Sequence, residues 1–188
     1  VDGFTKPLTD KEKFQGRPPE AVAEPRLLEP DTEDNLQQLF KDKDWTDYNP
    51  IILPTEERVA AMLKGTSRKP DEVVKKITWP GGARNLTVEK VAVCAVMAGA
   101  KPQHFPLILA LATYVPFGNS TSSMANMILV NGPIRNEVKM NYKGNVMGPH
   151  NEVNSVLGRS FTLMSKTAGN LHAGKTTFSS LGSNLQYN

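Results

Sequence analysis

Apolar residues recur at helical spacing along most of the chain after residue 30. Thr55 and Thr87 stand where an N-cap residue is favoured, and Gly65 and Gly99 end the apolar patterns that follow them. The longest pattern begins at Asn151. The spacing predicts helices over residues 31–40, 55–64, 70–77, 87–97, 102–114 (starting at Pro102 or, more cleanly, at Pro106), 134–138 and 151–165.

One apolar run, Met124 to Val130, has the length of a strand and is followed by the break Asn131-Gly132-Pro133. A second strand is predicted over residues 176–181, in a C-terminal stretch rich in Gly, Ser, Thr and Asn. The helices predicted over 87–97 and 102–114 are so apolar that both must be packed inside the molecule. The pattern as a whole predicts a mixed α/β fold, with helices packed on a small sheet and an extended N-terminal arm.

The first 48 residues differ from the rest in backbone preference and in charge. Prolines at positions 7, 18, 19, 25 and 30 exclude long helices there and predict an extended arm. Residues 1–48 carry 7 Lys or Arg against 12 Asp or Glu, whereas residues 49–188 carry 15 against 7. We therefore divide the chain into an acidic arm with a short helix (1–48) and a basic α/β body (49–188). Such an arm either wraps a neighbouring subunit or is an unattached terminus.

Composition narrows the class of protein. The 188 residues are 39% hydrophobic and 22% charged, which is ordinary for a globular protein. No apolar run reaches the roughly 20 residues of a transmembrane helix, so no membrane partner is expected. The single cysteine, Cys94, excludes an internal disulfide and favours a reducing compartment, the cytoplasm. Its neighbours are small and apolar, which favours a buried side chain over a reactive thiol.

The net positive charge of the body suggests that it binds a negatively charged partner or ligand. Nucleic-acid binding is unlikely, because the Lys and Arg residues are scattered and do not alternate with aromatic residues. An anionic small molecule, or the acidic arm itself, fits the charge at least as well.

Residues 131–159 are the strongest candidate for a site. A strand end followed by glycine-rich turns and a helix start is where α/β proteins bind ligands, because glycine lets the backbone approach and free N–H groups attract anions. His150 and Glu152 are the candidates for proton transfer. The alternative is that these residues only form turns. The residues predicted to shape the pocket are Asn131, Gly132, Asn145, Gly148, Pro149, Asn154 and Arg159.

Other chemistry is weakly supported. Residues 169–176 match the phosphate-loop pattern Gly-x-x-x-x-Gly-Lys-Thr, but no strand is predicted before them and no helix after them, which favours a flexible loop. His104, His150 and His172 are far apart in sequence, so no metal site is predicted. His104, beside an apolar helix, is interpreted as structural. The sequence leaves any cofactor unknown.

A set of short segments occurs in this order along the chain: Asn49–Ile51, Pro54–Val59, Thr87–Ala92, Ala95–Gly99, Val130–Ile134, Gly148-Pro149, Asn154 and Gly158-Arg159. Together they resemble a poorly characterised bacterial family whose genes accompany proteins with a cysteine- or selenocysteine-Gly-Ser-Cys motif. The resemblance covers about residues 49–182 and implies a site more than a reaction. Ala100 stands where the relatives have Cys, and Ser120-Thr121-Ser122-Ser123 replaces a Thr-Thr-His-Pro-like segment, so the resemblance implies no thiol or histidine role at these positions.

The relatives continue well past Ser180-Leu181-Gly182, which implies that a second polypeptide completes the unit. The resulting hypothesis is a subunit of a bacterial hetero-oligomeric enzyme acting on a small molecule that is anionic or contains sulfur, by lyase, hydrolase or thiol-redox chemistry. The alternative is a non-catalytic assembly subunit that wraps a partner through its arm.

Overall fold

The computed structural model describes residues 26–79, 82–116, 126–146, 148, 150–173 and 175–176. Within these residues the fold is mixed α/β, with helices packed on a small antiparallel sheet, as predicted. None of the described helices is long and apolar enough to cross a membrane. The elements are α1 (Glu33–Asp42), α2 (Glu56–Leu63), β1 (Val73–Trp79), β2 (Gly82–Thr87), α3 (Val88–Met97), a 3₁₀ turn (Pro102–His104), α4 (Phe105–Ala112), α5 (Pro133–Glu137) and α6 (Glu152–Thr167).

Helix α3 is the centre of the core. Thr87 caps it by accepting a hydrogen bond from the backbone N–H of Lys90, as the sequence predicts. Val91 and Ala95 have no exposed surface, because α2, α4 and α6 all pack against α3. The predicted burial of α3 and α4 is therefore confirmed, and so are the predicted helices at α1, α2, α5 and α6.

The helix predicted over residues 70–77 is wrong. Residues 73–79 form β1, which pairs with β2 as an antiparallel hairpin. The segment Val-Val-Lys-Lys-Ile-Thr-Trp is rich in β-branched and aromatic residues, and this preference outweighs the helix-start signal at Pro70. Ile77 and Leu86 bury the inner face of the hairpin against the core.

The strand predicted at Met124–Val130 is also wrong in its described part. Residues 126–130 have no regular secondary structure, and Met127 and Leu129 are 82% and 83% exposed. The segment is apolar but pairs with no strand among the described residues, and a strand needs a partner to form. Residues 124–125 lie outside the described part of the chain, as does almost all of the strand predicted at 176–181.

The described part of the arm packs on the body. Phe40 of α1 is buried in the core and contacts the Trp45 ring edge-on at 5.7 Å. Gln37 donates to the carbonyl of Ile51 and accepts from its N–H, so α1 is joined to the segment that leads into α2. Residues 26–48 therefore belong structurally to the body, and residues 1–25 lie outside the described part.

Candidate functional site

A cleft of about 350 Å³ opens beside the N-terminal ends of α4 and α6. Its walls come from three stretches: the 3₁₀ turn before α4, the chain after α5, and the start of α6. The first of them lies more than 30 positions before the other two. Most of the lining is polar, although it adjoins the apolar core. The lining residues are Lys101, Gln103, His104, Val138, Lys139, Asn141, His150, Asn151, Glu152, Val153 and Asn154.

His104 is the buried titratable group of this cleft. The residue is only 1% exposed, and its Nδ1 accepts a hydrogen bond from the backbone N–H of Lys101 at 3.2 Å. Burial lowers the pKa of His104, the charge of Lys101 lowers it further, and Glu152 opposes both. Because Nδ1 is an acceptor, the neutral ring carries its proton on Nε2. The structure thus holds a neutral imidazole in one tautomer at the cleft.

Lys101 and Glu152 form an ion pair that joins two walls of the cleft. Lys101 Nζ lies 3.0 Å from Glu152 Oε1, and both side chains are more than half exposed. The hydrogen bond from Lys101, followed by its charge, lowers the pKa of Glu152. Glu152 is therefore an anion at neutral pH, and a weaker base than an isolated glutamate. An exposed pair of this kind is held loosely and can exchange partners at little cost.

Two asparagines hold the walls in place. Asn154 is buried, accepts from the backbone N–H of Asn141 at 3.0 Å and donates to the Asn141 carbonyl at 3.2 Å. Asn151 donates to the carbonyls of Asn145 (2.7 Å) and Gly148 (3.1 Å). These side chains supply hydrogen bonds that backbone pairing would supply in a sheet, since the described residues of this stretch contain no strand. They position the cleft rather than act as free ligand-binding amides.

His150 and Lys139 line the cleft with strained backbone. Their φ angles are +73° and +58°, a region that side-chain-bearing residues seldom occupy. Gly148 lies close to the amide group of the Asn145 side chain, so a side chain at position 148 would require Asn145 to move. Such strain persists where the surrounding structure enforces it, and it is common near ligand sites.

The predicted site residues divide into two groups. His150, Glu152 and Asn154 line the cleft together, whereas the remaining described residues do not line it. Arg159 points elsewhere: its guanidinium lies 3.0 Å from both carboxylate oxygens of Asp47 and 2.7 Å from the carbonyl of Pro50. Pro149 lies outside the described residues. The described residues away from the cleft lining are Asn131, Gly132, Asn145, Gly148 and Arg159.

Sequence reasoning did not place His104 in the cleft, and it missed a second polar cluster, the Asp44 clamp. In this clamp, Asp44 lies 2.5 Å from each of Lys166 Nζ, Tyr48 Oη and His172 Nδ1. Burial raises the pKa of Asp44, but hydrogen bonds from Lys166, Tyr48 and His172 outweigh it and hold the pKa far below its usual range. His172 Nε2 is also engaged, at 3.2 Å from Asn170 Oδ1.

The clamp explains the phosphate-loop pattern at residues 169–176. A helix, α6, precedes this stretch where a nucleotide loop needs a strand. Thr176 closes the loop by donating to the carbonyl of Asn170 and accepting from the N–H of His172. The described residues of this stretch therefore form a turn that carries His172 to Asp44.

The cysteine and the metal predictions can be judged on the described residues. Cys94 is buried and its thiol lies 3.5 Å from Thr167 Oγ1; burial raises the pKa of the thiol to about 11. The predicted burial of Cys94 is confirmed, and burial favours the thiol over the thiolate. Among the described residues, no cluster of three or more His, Cys, Asp or Glu is arranged to hold a metal ion.

Comparison of the chain with protein-family models, with curated proteins and with solved structures finds no match. The bacterial family, the second polypeptide and the reaction class therefore stay predictions.

Proposed function

We propose that this chain is an enzyme subunit that binds a small anionic molecule in the cleft and performs acid–base chemistry on it. The observation that carries the proposal is His104, a buried neutral imidazole with a fixed tautomer at a solvent-open cleft. Structural histidines normally have both ring nitrogens engaged. In the described part of the chain, Nε2 of His104 has no hydrogen-bond partner.

The charge and size of the cleft favour a small anion. Lys101 and Lys139 supply positive charge, and the acidic side chain, Glu152, is already paired with Lys101. A volume of about 350 Å³ is at the lower end of the range for small-molecule sites. Gln103 adds neutral hydrogen-bonding groups. A carboxylate or phosphate on a molecule of a few carbons matches this lining.

The neutral state of His104 suggests its role. A neutral imidazole whose Nε2–H donates to a substrate oxygen stabilises negative charge that develops there, without the imidazole itself being charged beforehand. His150 and Glu152 remain the candidates for proton transfer. Glu152 is the weaker candidate because Lys101 lowers its pKa. Thiol-redox chemistry carried by this chain is disfavoured, since Cys94 is buried and protonated.

Ligand binding to histidine variants tests the proposal. The protein is titrated with acetate, pyruvate, malate, phosphate and methylphosphonate up to about 1 mM, the upper range of ordinary KM values. Binding is followed by the nitrogen chemical shifts of the histidine rings and by thermal shift. We expect one or more of these anions to perturb the Nε2 signal of His104. His104→Ala should abolish the saturable response, and His104→Gln, which keeps an N–H near the Nε2 position, should retain part of it.

His172→Gln is the matched control, because His172 has both ring nitrogens engaged and lies in the Asp44 clamp. This variant should bind the same anion with unchanged affinity, whatever its stability. The proposal is overturned if no anion in the panel perturbs His104, or if His104→Ala binds as tightly as the wild type.

The non-catalytic alternative is an assembly subunit whose arm wraps a partner, and the described part of the arm contacts its own chain. Arg26 pairs with Glu56 and Glu89 of the same chain, and Phe40 enters its own core. The described part of the arm thus packs on its own body, and the wrapping of a partner stays a prediction.

A further inference from the structure

Helix α5 and the chain after it bring two cations to one aromatic ring, in an arrangement here called the Tyr142 cluster: Arg135, Tyr142 and Lys143. The guanidinium carbon of Arg135 lies 3.7 Å from the centre of the Tyr142 ring, and Lys143 Nζ lies 5.5 Å from the same centre. At so short a distance Arg135 contacts the ring through its flat face, because an edge-on approach would place a nitrogen between the carbon and the ring. None of the three residues lines the cleft.

The turn that ends α5 carries Tyr142 back to Arg135. Lys139 has a φ of +58°, and its N–H donates to the Asn136 carbonyl at 3.1 Å. The N–H of Met140 donates to the carbonyl of Arg135 at 2.9 Å. This pair of hydrogen bonds around a left-handed residue is the Schellman pattern that closes helix C-termini. Backbone contacts therefore hold the cluster in place before any ligand arrives, which lowers the cost of binding.

The two cations of the cluster have no counter-charge among the described residues. Neither Arg135 nor Lys143 forms an ion pair or a side-chain hydrogen bond there. Arg135 Nε is buried and lacks a hydrogen-bond partner. Glu137 is the nearest carboxylate in sequence, but residues two positions apart on a helix do not face each other. A buried donor without a partner calls for an explanation, and an anion supplied from outside the chain is one.

Arg135 differs in this respect from the other arginines that the structure describes. Each of those donates to a carboxylate or to a backbone carbonyl, so its charge or its N–H groups are used within the chain. The arginines with such partners are Arg26, Arg58, Arg68, Arg84 and Arg159. The guanidinium of Arg135 is held by its face alone, and its edge is left for a ligand.

We propose that the Tyr142 cluster binds the phosphate group of a small phosphate monoester. The edge of the Arg135 guanidinium can donate two parallel N–H···O bonds to phosphate oxygens, and Lys143 adds a point charge. A phosphate monoester carries close to two negative charges at neutral pH, so it balances both cations, whereas a carboxylate balances one. The inference is independent of the proposed function of the cleft.

An NMR titration of the full chain with glycerol 3-phosphate at low ionic strength tests the proposal. We expect a saturable shift of the Arg135 Nε resonance with a Kd of about 1 mM, because Tyr142 is 45% exposed and an open site binds weakly. The Arg135 signal is assigned by its loss in Arg135→Lys. The backbone amides of Tyr142 and Lys143 report binding in every variant.

The variants separate the fork, the charge and the ring. Arg135→Lys keeps the charge but loses the fork and should bind about tenfold more weakly. Lys143→Gln should weaken binding several-fold. Tyr142→Phe keeps the ring and should bind like the wild type, whereas Tyr142→Leu removes the surface that holds Arg135 and should bind more weakly. Lys76→Gln is the matched control, since it removes an exposed charge from β1 and should change nothing.

His104→Ala distinguishes this site from the cleft, because it should leave the shifts at Arg135, Tyr142 and Lys143 intact. Loss of those shifts in His104→Ala would overturn the proposal. So would the absence of a saturable shift at Arg135, an equal response to chloride at the same ionic strength, or binding by Arg135→Lys as tight as by the wild type. A single-stranded oligonucleotide that binds the cluster more tightly than glycerol 3-phosphate would overturn it in favour of a nucleic-acid partner.

Discussion

The cleft and the Asp44 clamp each contain a histidine, a lysine and a carboxylate, yet they are built differently. In the clamp, Asp44 accepts from three donors and both ring nitrogens of His172 are engaged. In the cleft, His104 has one ring nitrogen engaged, and the carboxylate of Glu152 has one exposed partner. The same residue types therefore form a saturated structural joint in one place and an open site in the other.

Backbone strain does not distinguish the two regions. Among the described residues, Asp44, Tyr48 and Asn170 of the clamp have positive φ, and so do Lys139 and His150 of the cleft. Strain is expected wherever surrounding contacts enforce an unusual conformation. The useful criterion is the number of hydrogen-bonding groups left without a protein partner beside a cavity.

The largest expected effect on stability is at the ion pair of Arg159 and Asp47, in which Asp47 is close in sequence to Asp44 of the clamp. The Asp47 side chain is 6% exposed, so Arg159→Ala removes a bidentate cationic partner from a buried carboxylate. We expect the free energy of unfolding in urea to fall by about 3 kcal/mol. Arg68→Ala is the control, because it breaks an exposed arginine–glutamate pair and should leave stability unchanged within error.

The variant Arg159→Ala also tests whether this ion pair affects ligand binding in the cleft. Arg159 was predicted to shape the ligand site, but it contacts the chain at residues 47–50. Folded Arg159→Ala protein should therefore bind the cleft anion with wild-type affinity. A loss of binding with unchanged stability would show instead that Arg159 acts at the cleft.

A smaller effect is expected at Asn154, which joins α6 to the wall of the cleft. Asn154→Ala removes two hydrogen bonds to the backbone of Asn141, at about 1 kcal/mol each. We expect a loss of about 2 kcal/mol in urea unfolding, together with weaker anion binding because the wall is no longer held. Asn154→Asp keeps an acceptor for the Asn141 N–H but sets a carboxylate oxygen against the Asn141 carbonyl, so it should lose at least as much stability at neutral pH. Full binding by Asn154→Ala would show that the wall is held by other contacts.

How well the sequence predicts each part of this structure depends on how far apart in sequence the interacting residues are. Helix starts at Thr55 and Thr87 depend on residues within one turn, and they were predicted correctly. The hairpin was missed because Pro70 resembles a helix start. Strand pairing depends on residues that are separated in sequence and meet only in the folded chain. Local interactions such as helix capping can be predicted from the sequence, whereas the pairing of distant segments is much harder to predict.

The same limit applies to the site. His150, Glu152 and Asn154 are neighbours in sequence and share the cleft, so they could be proposed together. His104 joins them from a different helix, and no spacing rule connects residue 104 to residue 152. The Asp44 clamp unites residues more than 120 positions apart, which periodicity cannot detect. The apolar run at residues 126–130 was recognised as strand-like, but its exposure depends on what packs beside it.

The pH dependence of stability gives a third, smaller effect. Burial, and then Lys101, lowers the pKa of His104 below its ordinary value of 6.5. Below that pH the unfolded chain binds a proton that the folded protein still refuses, so stability present above pH 6.5 is lost as the pH falls through the folded pKa. His104→Gln lacks this term. The stability difference between wild type and variant should be constant above pH 6.5 and should move in favour of the variant below it.

Carboxylates such as Asp44 also destabilise the folded protein as they are protonated, but this contribution is common to both proteins and cancels in the difference. Chemical denaturation from pH 7.5 down to pH 4.5 supplies the measurement. Parallel curves for wild type and His104→Gln would mean that His104 is protonated equally easily in both states, and the open-site interpretation of the cleft would lose its basis.

Substitution of Glu152 is expected to have the smallest effect on stability and the most specific effect on anion binding. Its ion pair with Lys101 is largely exposed, so Glu152→Gln should not change the urea unfolding midpoint measurably. An anion entering the cleft competes with Glu152 for Lys101, and removing that competitor should tighten anion binding several-fold if Glu152 only neutralises the lysine. If Glu152 also takes a proton from the substrate, turnover should fall while binding tightens. Lys101→Met should weaken binding in either case. Weaker anion binding by Glu152→Gln would place the carboxylate among the groups that hold the ligand, and the cleft would then differ from the clamp less than its geometry indicates.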